Sequence, residues 1–118
     1  MNRHWVGVAC EGLGASSWWP CKDHWSDEPD RGVEVNLIVP DPYKAISNGR
    51  LISQQKLANG KSEWRWKVTH PINLYNVTLN IAHYKSINQS YTSKVNGNSL
   101  NMAFWVLDYN LEKAKIHF

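Results

Sequence analysis

The five histidines are the first candidates for metal or acid–base chemistry. His4, His24, His70, His83 and His117 are scattered along the whole chain. None is paired with another at the H-x-H or H-x-x-x-H spacing, so a zinc site would need three ligands that only tertiary folding brings together. The sequence also contains no nucleophile elbow and no phosphate-binding loop. We therefore predict no catalytic residue and no metal ligand within this chain.

Two cysteines, Cys10 and Cys21, form no C-x-x-C pair and have no partner at a metal-binding spacing. We interpret them as small buried side chains. A disulfide between them remains the alternative for a protein that is exported from the cell.

An acidic stretch occupies residues 23–30. A calcium loop would need oxygen ligands at alternate positions around a central glycine, and Trp25 and Pro29 do not fit that pattern. The stretch instead predicts a loop with one short helical turn. Ser26 would cap this turn, and Asp27 would lie at the positive end of its dipole.

Glu11 is the remaining candidate for chemistry. It follows an apolar segment and precedes Gly12, and the glycine-rich run that begins there lets the backbone approach a neighbour or a ligand closely. Spacing by itself does not distinguish this carboxylate from an ordinary solvated one.

Seven tryptophans in 118 residues are the most unusual feature of the composition. Trp64 and Trp66 lie two residues apart and therefore on the same face of a predicted strand, and we expect their rings to fill the core of a sheet. Exposed rings at Trp18, Trp19 and Trp25 would favour a different function, a free-standing tryptophan-rich β-sandwich module that binds a peptide or a glycan.

The elements that must position these residues are mostly strands. Apolar residues alternate with polar ones, and this two-residue period is typical of a half-buried strand. The pattern covers residues 33–39, 64–68, 77–81 and 100–106, and residues 4–9 predict a further short strand. Two Asn-Gly pairs, at residues 59–60 and 96–97, predict two-residue hairpin turns. The fold class predicted is all-β, an antiparallel sandwich or saddle-like sheet.

The C-terminal residues are the exception to this pattern. Asn110 can cap a helix, and Leu111, Ala114, Lys115 and Phe118 then recur at helical spacing. This mostly apolar stripe reaches the last residue, Phe118. We therefore expect residues 110–118 to be the start of a helix and the chain to be cut from a longer protein.

Composition excludes several classes of function. Hydrophobic residues make up 42% and charged residues 19%, as in a globular domain. The net charge of +3 comes from scattered Lys and Arg without a basic stripe, so no nucleic-acid partner is predicted. No apolar run approaches the roughly 18 residues of a membrane span, so no membrane partner is predicted. The sequence is compatible both with an exported protein, for example a periplasmic one, and with a cytoplasmic one.

Three adjacent segments together resemble the aminopeptidase N family of zinc metallo-aminopeptidases, the gluzincins. They are Val8–Ala15 (VACEGLGA), Trp18–Asp23 (WWPCKD) and Asp27–Asp30 (DEPD). Weaker similarity continues through Ser47–Arg50 (SNGR), Tyr75–Ile81 (YNVTLNI) and Asn110–Lys115 (NLEKAK). The resemblance implies that residues 1–109 are part of the N-terminal β domain. Residues 110–118 would begin the first helix of a catalytic domain that this chain does not include.

The same resemblance implies how the intact protein works. The catalytic domain of the family carries G-x-M-E-N and H-E-x-x-H motifs, and neither occurs here. The chain would therefore hold no cofactor, and zinc would be bound in the missing domain. Glu11 matches the position that binds the free α-amino group of the substrate. Ala9 stands where better-known members have Gln, which implies a differently shaped first side-chain pocket.

The resemblance also implies partners. These are the protein's own catalytic domain and the N-termini of peptides. The isolated chain should be inactive as a hydrolase. Because the face that meets the catalytic domain would be uncovered, self-association of this fragment is expected.

Overall fold

The protein is all-β, as its sequence predicts. The computed structural model describes residues 3–10 and 12–118, and within these ranges it contains eight strands and one α-helix. The strands are β1 (Val6–Gly7), β2 (Val33–Pro40), β3 (Lys44–Ser47), β4 (Arg50–Leu57), β5 (Lys61–Val68), β6 (Leu79–Ala82), β7 (Tyr84–Thr92) and β8 (Ser99–Leu107). The helix is α1 (Leu111–His117), and short 3-10 turns cover Ala15–Ser17, Ala58–Gly60, Leu74–Asn76 and Asp108–Asn110. All the pairings between strands are antiparallel.

The chain divides into two compact units, one ending at Ala82 and the other running from His83 to Phe118. The first unit contains two three-stranded sheets, in the orders β1-β6-β3 and β2-β5-β4. The second unit contains the β7–β8 hairpin and α1.

The core of the first unit lies on one face of β5. Trp64 and Trp66 are only 2% and 5% exposed, as the alternating pattern predicts. The indole N–H of Trp66 donates a 2.9 Å hydrogen bond to the carbonyl of Ala45 on β3, and Ala45 is fully buried. This bond links the two sheets and satisfies a polar group that would otherwise be buried without a partner.

The opposite face of β5 is exposed and carries charged pairs across the strands. Arg65 donates a hydrogen bond to Glu34 on β2, and Lys67 lies 3.9 Å from the same carboxylate. The hydrogen bond from Arg65 is the main reason why the pKa of Glu34 falls below its usual value. Such exposed pairs align strands but add little to stability.

A second polar cluster fixes the end of β2. The carboxylate of Asp41 accepts hydrogen bonds of 2.5 Å from Lys56 and from the buried hydroxyl of Ser62. The bond from Lys56, followed by the bond from Ser62, lowers the pKa of Asp41. The backbone N–H of Asp41 also donates to the carbonyl of Gly60. These contacts hold the turn after β2 against the β4–β5 hairpin.

The first predicted hairpin is confirmed. Asn59 and Gly60 both have positive φ angles, 61° and 65°, and they connect β4 to β5. The connection includes Ala58 as well, so it is one residue longer than the sequence predicts.

The prediction of a two-residue turn at Asn96 and Gly97 is wrong. The structure has a six-residue loop, 93–98, between β7 and β8. Backbone bonds from Ser93 to Asn98 and from Gly97 to Ser93 close this loop. The strand pairing therefore ends earlier than the Asn-Gly signal indicates, because the local bonds compete with the ladder.

Two predicted strands are shorter in the structure. Only Val6–Gly7 of residues 4–9 pairs as a strand. Val77 follows a 3-10 turn and is 1% exposed, so it is a core residue although it lies outside β6. Burial rather than strand pairing explains its apolar side chain.

The helix begins directly after Asn110, as predicted, but the Asn110 side chain makes no capping hydrogen bond. Ala114 is buried, and the ring of Phe118 stacks on that of Phe104 at 4.3 Å between centroids. Gln89 on β7 also donates a hydrogen bond to the Phe118 carbonyl. The apolar stripe of α1 thus packs on one face of the hairpin.

Gly49 yields a testable prediction for the fold. Its φ is 83°, and a Cβ atom there would lie 2.1 Å from the backbone carbonyl oxygen of Lys67. Gly49→Ala should lower the free energy of unfolding by about 2–4 kcal/mol, because rigid backbone would have to move. The measurement is urea denaturation followed by circular dichroism.

Gly60→Ala is the matched control. Gly60 has a similar φ of 65°, but nothing lies within 4 Å of its Cβ position. Gly60→Ala should lower the free energy of unfolding by only about 1–2 kcal/mol, which is the cost of a left-handed backbone conformation for a residue with a side chain. Equal losses in both variants would contradict the role of close backbone packing at Gly49.

Candidate functional site

A cavity of about 440 Å³ lies in the first unit, in the size range of small-ligand pockets. Three chain segments form its wall. They contribute Ala9, Cys10, Gly12, Gly14 and Ala15; Lys22, Asp23, His24 and Trp25; and Leu74, Tyr75, Asn76 and Thr78.

Strand β6 brings these segments together. β1 pairs with β6, and the N–H of Val8 continues the pairing by donating to the carbonyl of Leu79. This places the residues after β1 beside those that precede β6. The backbone N–H of Leu74 also donates to the carbonyl of Asp27, at 3.4 Å. The loop after Cys21 is thereby joined to the same wall.

Two aromatic rings stand at the cavity in contact with solvent. Trp25 is 77% exposed and Tyr75 is 40% exposed. Their ring centroids are 6.3 Å apart and their planes are tilted by 51°, a favourable arrangement for an aromatic pair. A large exposed ring beside a concave apolar wall is suited to contact with an apolar group of a ligand or partner.

Polar side chains of the second wall segment pair with those of the two residues that follow it, Ser26 and Asp27. Lys22 lies 3.1 Å from the carboxylate of Asp27. The hydroxyl of Ser26 and Nδ1 of His24 share a hydrogen bond of 3.0 Å, whose direction depends on the imidazole tautomer. The prediction of a helical turn capped by Ser26 is wrong, because these residues form a single turn closed by a bond from Asp27 N–H to His24 O.

Glu11 lies outside the described residues. Both of its neighbours in the chain, Cys10 and Gly12, line the cavity. Ala9, the second predicted site residue, is exposed and lines the same cavity. Two of the three wall segments contain residues that the sequence singled out, whereas the third, around Tyr75, was indicated only by the weaker family resemblance of Tyr75–Ile81.

Cys10 and Cys21 are both half-buried and free, so the structure contains no disulfide between them. Partial removal from water raises the pKa of the Cys21 thiol, and Asp23, Cys10 and Asp27 add to the rise. Such a thiol is a poor nucleophile at neutral pH.

The adjacent tryptophans Trp18 and Trp19 are half-buried, with centroids 6.0 Å apart. Both indole N–H groups are buried, and neither has a hydrogen-bond partner among the residues described here. These rings are therefore mainly packing groups, unlike Trp25.

In residues 3–10 and 12–118, no three His, Cys, Asp or Glu side chains come close enough to hold a metal ion. A zinc ion therefore does not fit the residues that the structure describes. Across those same ranges, no helix is both long and apolar enough to cross a bilayer.

The fold is similar to part of a known peptidase. The matched protein is a two-domain M1 zinc metallopeptidase, solved as a glutamate-to-alanine mutant bound to L-arginine. The TM-score is 0.76 at 18% identity, and the match covers 88% of this chain but only 23% of that protein. No family model and no curated protein matches the sequence. At this identity the likeness establishes the fold that the two proteins share.

Cys21 provides a test of the electrostatics of the site. Because its pKa is raised in the folded protein, the thiolate should form only at a higher pH than in the unfolded chain, whose thiols have the ordinary value of 9.0. Alkylation of Cys21 by iodoacetamide should therefore have a higher pH midpoint in the folded protein than in urea. Peptide mass spectrometry measures the rate at each pH. A midpoint that is equal or lower in the folded protein would contradict the proposed desolvation.

Proposed function

We propose that this chain is a non-catalytic part of the N-terminal β domain of a zinc metallo-aminopeptidase. The observation that carries the proposal is the fold similarity, which extends over 88% of the chain and matches it to a domain-sized part of an M1 zinc metallopeptidase. The sequence resemblance around Glu11 independently supports the same family. The intact protein would remove N-terminal residues from peptides.

In this proposal Glu11 binds the free α-amino group of the substrate. An aminopeptidase must accept a terminal ammonium and reject an internal peptide bond. A carboxylate does so because it forms a charge-assisted hydrogen bond with the ammonium. An internal amide would leave the carboxylate without that partner, at a cost of about 1–3 kcal/mol or more. The anchor also fixes the scissile bond one residue away.

The cavity wall supports a role for this segment in contact with a substrate. Ala9, Cys10 and Gly12 line the cavity, and their small side chains leave its space open. Ala9 offers no side-chain hydrogen bond, so a pocket shaped by it would select substrates by size and apolar character. We propose that this is how Ala9 affects the preference for the first residue.

Zinc belongs to the proposed catalytic domain. No donor set for it exists among the residues that the structure describes, and the resemblance places the metal motif outside this sequence. The zinc would supply the activated water for peptide hydrolysis. This chain would contribute only the recognition of the N-terminus, so we propose that it is inactive by itself.

The first experiment is to read the gene beyond the codon for Phe118. The proposal expects an open frame that encodes G-x-M-E-N and H-E-x-x-H within about 100–200 residues, the usual size of a domain. A stop codon directly after Phe118 would overturn it.

The second experiment tests Glu11 in the intact enzyme. Glu11→Ala should lower kcat/KM for an aminoacyl anilide by about tenfold or more, equivalent to roughly 1.4 kcal/mol of lost transition-state binding. Glu28→Ala removes the same charge from an exposed position and is the matched control. Unchanged kinetics in Glu11→Ala would contradict its assignment.

A second candidate function is a free-standing module that binds peptide or glycan. The specific observation in its favour is the exposed pair of Trp25 and Tyr75 at the cavity. This candidate predicts that the isolated chain binds a peptide with a change in tryptophan fluorescence that Trp25→Ala abolishes. The aminopeptidase proposal requires no such binding by the isolated chain.

A further inference from the structure

Asp23 brings a carboxylate without a cationic partner to the wall of the candidate cavity. It is exposed and lines the cavity. Among the residues that the structure describes, none donates a hydrogen bond to this carboxylate and no Lys, Arg or His forms an ion pair with it. Lys22, the neighbouring cation on the same wall, is paired with Asp27 at 3.1 Å instead. Asp23 thus gives this wall a negative charge that no described residue neutralises.

The carboxylate lies beside a wall residue that has no side chain. One carboxylate oxygen of Asp23 is 3.1 Å from the position that a Cβ atom on Gly14 would occupy. Gly14 also lines the cavity, and its φ of 76° is a conformation that favours glycine. The missing side chain at Gly14 therefore leaves room for the carboxylate at the cavity surface.

Two aromatic rings share the wall with this carboxylate. Trp25 is two residues from Asp23 in the chain, and Tyr75 comes from the third wall segment. The face of such a ring is electrostatically negative and attracts a cation placed over it. A carboxylate hydrogen-bonds a cationic donor more strongly than a neutral one. Together these groups favour a positively charged ligand group over a neutral one.

The remaining wall is suited to a chain of methylene groups. Lysine and arginine side chains join an apolar stem to a cationic head, and the stem packs along apolar surface while the head reaches polar groups. The cavity of about 440 Å³ has room for such a stem. Its small and apolar wall residues are Ala9, Cys10, Ala15 and Leu74.

We propose that this cavity receives a lysine or arginine side chain of the peptide substrate, with the cationic head at the Asp23 carboxylate and the Trp25 ring. The inference rests on the proposed function, in which Glu11 holds the α-amino group of the substrate. The chain neighbours of Glu11 line the cavity. Because the α-amino group and the side chain of a residue leave the same Cα atom, the side chain that enters is that of the first residue. Asp23 is then a specificity-determining residue and takes no part in the chemical step.

The first test compares arginine with citrulline in the intact enzyme. Citrulline has nearly the shape of arginine but a neutral head, so the comparison isolates the charge. The kcat/KM for an arginine anilide should exceed that for a citrulline anilide by about tenfold. Asp23→Asn should remove most of this preference while changing kcat/KM for the citrulline anilide by less than about twofold. A purely structural role for Asp23 would lower both values together.

Two further variants make this comparison specific. Asp30→Asn makes the same chemical change at an exposed position outside the cavity wall, and it should leave the preference for arginine intact. Trp25→Leu removes the aromatic face and should reduce the preference by about threefold.

The second test depends neither on catalysis nor on Glu11. N-acetyl-arginine amide carries the cationic side chain but no free α-amino group, so an amine anchor cannot account for its binding. Titration of the 118-residue chain, followed by tryptophan fluorescence, should give a Kd of about 1–10 mM, and the citrulline derivative should bind about tenfold more weakly. Asp23→Asn should abolish this difference and Asp30→Asn should not. Circular dichroism checks that both variants keep the β fold.

The outcomes separate this proposal from the proposed function. If the intact protein hydrolyses no aminoacyl anilide but the chain binds N-acetyl-arginine amide through Asp23, the proposed function fails and the cation site stands. An active enzyme that treats arginine and citrulline anilides alike would overturn the cation site and leave the proposed function in place. Equal binding of the two acetylated amides, or equal effects of Asp23→Asn and Asp30→Asn, would also overturn the cation site.

Discussion

The packing of one row of side chains on β5 is the constraint on which the first unit depends. β5 is paired on both sides, and Trp64 and Trp66 project from it into the core. The large rings fit because β3 offers Ala45, a small buried residue whose carbonyl accepts the Trp66 N–H. Small and large side chains facing each other fill the space between the two sheets, and the Trp66 N–H finds its partner there.

The candidate site depends on this packing through β6. Strands β3 and β6 pair along four residues, and β6 in turn pairs with β1. The position of β6 between them decides that two separate groups of residues border the same cavity, namely Ala9, Cys10, Gly12, Gly14 and Ala15, and Leu74, Tyr75, Asn76 and Thr78. A site built from irregular segments needs such a rigid support, since loops by themselves do not fix the position of a side chain. The small residues at 9, 12 and 14 then leave the space that the walls enclose.

Charge is distributed differently over the two units. In the first unit, Glu34, Arg65 and Lys67 face solvent on the sheet that carries the core on its other side. In the second unit, β8 is uncharged and half of it is exposed. The charges on the first sheet stay in contact with water while the opposite face of the same sheet is buried.

Strand identity followed from the sequence alone wherever one face of a strand is buried and the other is exposed. β2 and β5 agree with prediction because alternation of apolar and polar residues directly records this difference. The burial of Trp64 and Trp66 was predictable for the same reason. The start of α1 after Asn110 was predictable from the helical spacing of the residues that follow it. The loop at 93–98 and the turn at Ser26 were not, because competing local hydrogen bonds decide their shape.

Only the tertiary structure determined which segments meet. Tyr75 lies 50 residues from Trp25 in the sequence, and no periodicity relates them, yet their rings are 6.3 Å apart. Sequence pattern reports the environment of each residue one at a time, as buried or exposed. The cavity arises instead from the order of strands in a sheet, which depends on long-range pairing that local residue types do not encode.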